Sequence, residues 1–299
     1  MSENTPEKQE AVVPTAKTNP LLSILRQPKI YITLPSGGKY WKPGSLNPSI
    51  TGDYPVFSMT ARDELLLKTP DALMNGQGIV EILQNCVPNI IDAWECPQID
   101  LDALLIAIRL ATYGELMTIK INHPSIEDGP TDYEVNIREI LEKLQANTTW
   151  EDRLEVRPDL VVYLKPINYR TQTEAQMGEF ETGRIVQMAN DSSLTDEQKL
   201  EAFKTAFSKL TKKTIEIIGS AIYKIESTAG VVEEPEFIAE FISQCDAEIF
   251  DKIKSKIGLM NDANKLKPLT ITSTPEMLEK GAPPTIEVPF SFDEANFFG

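Results

Sequence analysis

A single histidine, three cysteines and no long apolar run narrow what this 299-residue chain can do. With one histidine, His123, an acid–base site built on imidazole has one candidate, at the end of a predicted strand beside Pro124. No nucleophile motif of the GxSxG kind accompanies it, so His123 reads as a strand-end residue. Cys86, Cys96 and Cys245 form no CxxC pair and are odd in number, which excludes a disulfide framework and a four-ligand zinc site. They read as small apolar residues in a reducing compartment. Calcium-loop spacing of acids around a glycine is missing too, so the expectation is no metal and no cofactor. No stretch of about 18 apolar residues exists, and the first ten residues hold three acids. A membrane span and a signal peptide are therefore not expected, and the chain should stay in the cytoplasm that makes it.

Negative charge is abundant. The formal charge is -16 and the pI about 4.6, and such a surface repels phosphate. Nucleic-acid and anionic-membrane partners are not expected. The local exception is a lysine strip, Lys199, Lys204, Lys209, Lys212 and Lys213, which reads as a solvated helix face. Adjacent acids such as Asp63-Glu64, Glu233-Glu234 and Asp293-Glu294 read as caps or solvated pairs. A hydrolase using two such carboxylates is the alternative function, although no spacing in the chain specifies the pair.

The pattern along the chain is α+β. Residues 1–28 form a polar tail with too little apolar surface to fold alone, apart from a cluster containing Leu21, Leu22 and Leu25. Strands are predicted over Ile30–Leu34 and Val56–Met59, with Pro35-Ser36-Gly37-Gly38 making a tight turn after the first. Thr60 caps a helix. Ile79, Ile82, Leu83 and Val87 follow helical spacing, and Asp100 caps a helix near 101–113, apolar on almost every side and ended by Gly114. Arg109 inside it requires a carboxylate or carbonyl partner. Met117–Ile121 and Tyr133–Ile137 alternate as a hairpin, and Leu160–Leu164, apolar on both faces, predicts a central strand. Helices are predicted over 172–190, 196–226 and 235–258, the second with a Thr195/Gln198 capping box. The second and third are expected to pack as an antiparallel hairpin across Ser227–Pro235.

Beyond residue 265 the chain reads as extended over Leu269–Thr272 and Thr285–Phe292. The implied organisation is a tail (1–28), a mixed α/β region (29–168), a helical region (169–264) and an extended C-terminal segment (265–299), in one domain or two. Phe290, Phe292, Phe297 and Phe298 crowd the last eleven residues. Each contributes roughly 1.5–3 kcal/mol if fully buried, so this segment should dock on its own core or on a neighbour. With Leu21, Leu22 and Leu25, these are the candidate partner-binding residues.

Several segments carry a resemblance. They are Leu34–Tyr40 (LPSGGKY), Val56–Glu64 (VFSMTARDE), Lys68–Gly76 (KTPDALMNG), Ile108–Gly114 (IRLATYG) and the ending Phe292–Gly299 (FDEANFFG). In this order and spacing they resemble the baseplate hub proteins of T-even-type contractile-tailed phages. The resemblance covers residues 30–115 well, the C-terminus moderately and the helical segment between them loosely. It implies a non-enzymatic role in tail assembly through contacts with other hub and tail proteins, and with copies of itself. The chain would be either a hub subunit of the virion or an assembly chaperone, in the host cytoplasm during assembly. Some relatives carry Cys-Pro-x-Cys where this chain has His123-Pro124-Ser125-Ile126, so any metal bound there is not carried over.

Overall fold

The computed structural model describes residues 26–69, 75–121, 131–147, 150–189, 195–279, 281 and 283–288, and its architecture is mixed α+β. β1 (Pro28–Thr33) pairs antiparallel with β2 (Asp53–Phe57). The turn after β1 follows from its glycines: Gly37 and Gly38 have φ of 62° and 81°, a region open to residues without Cβ. α1 (Ala61–Leu67) begins at Thr60 with a closed capping box, the Thr60 hydroxyl accepting from the Asp63 N–H and Asp63 accepting from the Thr60 N–H. α2 (Gln77–Cys86) and α3 (Gln98–Tyr113) follow, with Gly114 as the C-cap of α3.

α3 begins three residues earlier than its sequence signals indicate. Pro97 is its N-cap, so Asp100 lies inside the first turn and is free to bond elsewhere. Leu104, Ile106 and Ile108 are fully buried, as a helix apolar all round requires. Arg109 is buried on it and places its guanidinium 5.4 Å from the Tyr113 ring centroid. β3 (Leu116–Ile121) and β4 (Thr131–Asn136) form the expected hairpin, and α4 (Ile137–Asn147) follows at once. These elements share the first of two hydrophobic clusters.

The second cluster is built on a four-stranded antiparallel sheet, β5 (Arg153–Arg157), β6 (Leu160–Leu164), β7 (Ile222–Ser227) and β8 (Gly230–Val232). β6 lies between β5 and β7, in the central place its apolar faces predict. Between β6 and β7 the chain makes α5 (Tyr169–Ala189) and α6 (Asp196–Ser220), the latter starting from the Thr195/Gln198 capping box.

Three expectations fail in this half of the chain. The helix expected over 196–226 stops at Ser220, because the β-branched and aromatic Ile222, Tyr223 and Ile225 pair along the edge of β6. The connection expected at Ser227–Pro235 contains the β7–β8 turn and β8. The single helix expected over 235–258 is two, α7 (Pro235–Gln244) and α8 (Ala247–Asn264), broken where Cys245 and Asp246 leave helical geometry. α6 consequently forms its antiparallel hairpin with α5 and not with the following helix. Lys213 near the end of α6 reaches Glu174 near the start of α5 at 3.0 Å. Ile249, Ile253 and Ile257, four apart on α8, are buried.

β9 (Leu269–Thr272), α9 (Pro275–Glu279) and β10 (Thr285–Val288) close the described chain, β9 and β10 pairing antiparallel. The two clusters are joined by Lys39, whose Nζ lies 2.7 Å from Asp152, by the Tyr40–Trp150 ring contact and by a short backbone seam. Pro97 bridges Asn168, the Gln98 N–H donates to the Ile167 carbonyl at 2.9 Å, and the Tyr169 N–H donates to the Cys96 carbonyl at 2.8 Å. Trp94 stacks on Tyr169 across it.

Candidate interaction surface

Leu21, Leu22, Leu25, Phe290, Phe292, Phe297 and Phe298, the residues singled out for partner binding, lie outside the described residues, as does His123. The blocks around Leu34–Tyr40, Val56–Glu64 and Ile108–Gly114 are described, and α3 ties them together. The buried Asp100 carboxylate accepts from the Ser36 N–H at 2.7 Å, from the Ser36 hydroxyl and from Trp41 Nε1–H at 2.8 Å. That fixes the Pro35–Gly38 turn against the first turn of α3. At the other end of α3, Thr112 Oγ1 accepts from the Met59 N–H at 3.0 Å. Asp63, also buried, receives Asn85 Nδ2 at 2.8 Å on the oxygen not used for capping, with Arg26 3.7 Å away. Arg26 in turn donates to the Ser58 carbonyl at 2.7 Å.

These groups are architectural in their geometry. Burial raises Asp100 to about 6 against the opposing pull of its donors, and burial alone raises Asp102 to about 6. Burial pushes the Cys86 thiol up to about 12 and Cys96 well above its ordinary value, so both stay protonated at neutral pH. Glu64, beside Asp63, accepts from the Tyr113 hydroxyl at 3.3 Å. Among the described residues no group of three His, Cys, Asp or Glu side chains is placed to hold a metal ion. No described helix is long and apolar enough to cross a membrane.

Exposed apolar side chains concentrate on the α5–α6 hairpin. At 1.5 Å per residue the two helices run about 31 and 37 Å. At their seam α5 places the half-buried Ala175, Gly178 and Thr182, and α6 the buried Ala206 beside half-buried Ala202 and Phe203. Small residues on both helices let them approach closely, and Leu200, Phe207 and Leu210 are left outside the seam. Phe207 is 64% exposed, and Leu200 and Phe180 are each 56% exposed. α5 packs on the Trp94 segment and α6 on α7, and the two helices pack most extensively on each other. The lysine strip runs along α6, where Lys213 pairs with Glu174 and Glu216, and Lys212 lies 4.0 Å from Glu216. These pairs are what a solvated face makes.

Met177 and Phe180 on the arm are not among the residues that sequence patterning singles out. The one signal for them is Phe180 alone between Glu179 and Glu181 in an otherwise polar run. An aromatic there has no helical stripe to join, and it is left outside.

Fold and surface together define a mixed α+β protein with two apolar cores and a projecting two-helix arm. The family model described as T4 bacteriophage base plate protein matches residues 27–274, and the chain belongs to that family. It is thus a phage baseplate protein of the T4 type. The match runs through both cores and the arm, including the helical stretch where the motif blocks were loosest. No curated protein and no solved structure matches the chain.

Proposed function

We propose that this protein acts in the baseplate hub, as a hub subunit or as a factor assembling it, by contacts with other tail proteins and without a reaction of its own. The observation that carries this reading is the α5–α6 arm, whose Phe180, Leu200 and Phe207 face solvent in a family that builds baseplates. Apolar groups left in water favour burial, and a further helix laid along the seam completes a bundle. The carboxylates whose surroundings are described fit this reading. Asp63 and Asp100 accept from backbone and side-chain donors, as carboxylates that fasten a fold do.

The test is genetic and biophysical together. Leu200→Asp with Phe207→Asp removes apolar area from exposed positions, so stability should change by no more than about 1 kcal/mol. Phage carrying the double variant should accumulate incomplete baseplates. Deletion of Asp293–Gly299 should likewise leave a folded monomer and block hub assembly. Normal tails from both variants would refute the reading. Mass spectrometry of purified particles then separates the two roles: stoichiometric presence defines a subunit, and presence in lysate alone defines an assembly factor.

A further inference from the structure

Two short sheets end in free edges that face one groove. β4 is paired only with β3, and β9 only with β10, among the described residues. Between β4 and β9 runs a groove of about 900 Å³, lined by residues 134–136 of β4, by Ile140 and Leu144 of α4, and by residues 263–272. Side chains alternate across a strand, so a groove meeting one face touches every second residue. This groove touches consecutive residues on both strands and therefore runs along their edges, where backbone N–H and C=O groups wait for a strand.

We propose that the groove receives an extended segment of another tail protein as an added strand, joining the two hairpins into one five-stranded sheet. The occupant's chemistry follows from the walls. Ile140, Leu144, Leu269 and Ile271 give one side an apolar floor. Lys143 and Lys267 stand exposed at the rim across from Glu134 and Glu139, while Lys265 is paired with Asp262 at 2.8 Å. The incoming strand alternates apolar residues with acidic ones, apolar toward α4 and acidic toward the lysines. This names a partner class for the hub role proposed above and rests on it. One competitor is built into the chain: residues 289–299 follow β10, whose Val288 pairs with Leu269 on the groove wall.

The experiment places a photo-crosslinker in the groove, as Thr270→p-benzoylphenylalanine in the full chain, during infection. Cross-linked peptides from tail intermediates are sequenced, and amide exchange is followed at 134–136 and 269–272. The expected result is a cross-link to one tail protein within a segment alternating apolar and acidic residues. Exchange at both strands should slow at least tenfold on assembly. Lys143→Glu with Lys267→Glu should cut the cross-link yield at least tenfold, and the matching arginine pair should preserve it. A cross-link into residues 289–299 of the same chain, into a helical segment or into a second copy overturns the assignment. So does a variant that enters tails without cross-linking. Absence of the chain from every tail intermediate instead defeats the hub reading, and the groove assignment with it.

Discussion

Asp100 and Asp102 lie two residues apart on α3, and both are raised to about 6, yet they are not equivalent. Asp100 has three donors aimed at it, while burial is the one cause acting on Asp102. A carboxyl whose pKa is higher folded than unfolded holds its proton more tightly in the native state. Its contribution is therefore greatest below the unfolded value of 3.8 and is lost as pH rises toward 6. At neutral pH the ionised Asp102 costs up to about 3 kcal/mol. Asp102→Asn should raise stability to urea at pH 7.5 by up to that amount, and the gain should shrink at pH 5. A variant less stable than the parent at pH 7.5 would show that the carboxylate has favourable contacts. Asp100→Asn should give no such gain, because an amide nitrogen would meet donors where the carboxylate oxygen accepts.

Elements follow from the same local rules, and two glycines separate backbone need from accident. Gly76 caps α2 with φ of 75°, and a Cβ there would lie 3.0 Å from Thr173 Cγ2 and Oγ1. Gly76→Ala should destabilise the protein by about 2 kcal/mol through the left-handed backbone, more where Thr173 cannot yield. Gly183, exposed on α5 with nothing within 4 Å of where a methyl would stand, should behave oppositely. Gly183→Ala is expected to stabilise by roughly 0.5–1 kcal/mol. Chemical denaturation of the two variants side by side checks both signs. Elements with strictly local causes were legible in the sequence: the caps at Thr60 and Thr195, the Gly37–Gly38 turn, the β3–β4 hairpin and the central β6. The β7–β8 hairpin was not, because the apolar spacing of α6 continues through Ile217, Ala221 and Ile225 in helical register. What ends the helix is the edge of β6, a strand more than fifty residues upstream that no local window contains. Of the surface, the motif blocks pointed to the family correctly, yet structurally they fasten the first core. The arm and the groove emerge only when distant segments are brought together.

At the scale of the molecule, two apolar clusters share few groups. The second draws Val156–Leu164 from before the arm, Ile218 from the end of α6 and Ala221–Ile257 from after it, so the arm is an excursion out of one sheet. Ile253 is fully buried in that cluster. Ile253→Ala should cost about 2–5 kcal/mol. Native-state amide exchange should accelerate in β5–β8, α7 and α8 well before it does in α3. Uniform acceleration through α3 would show that the two cores unfold as one unit.

The seam between the cores acquires a mechanical meaning from its position. Ile167, Asn168 and Tyr169, which bond to Cys96 and Gln98, lead straight into the first turn of α5. A rod about 30 Å long thus starts from the same residues that fasten one half of the protein to the other. A load placed on the arm by a bound neighbour therefore reaches that fastening as well as the packing of α6 on α7.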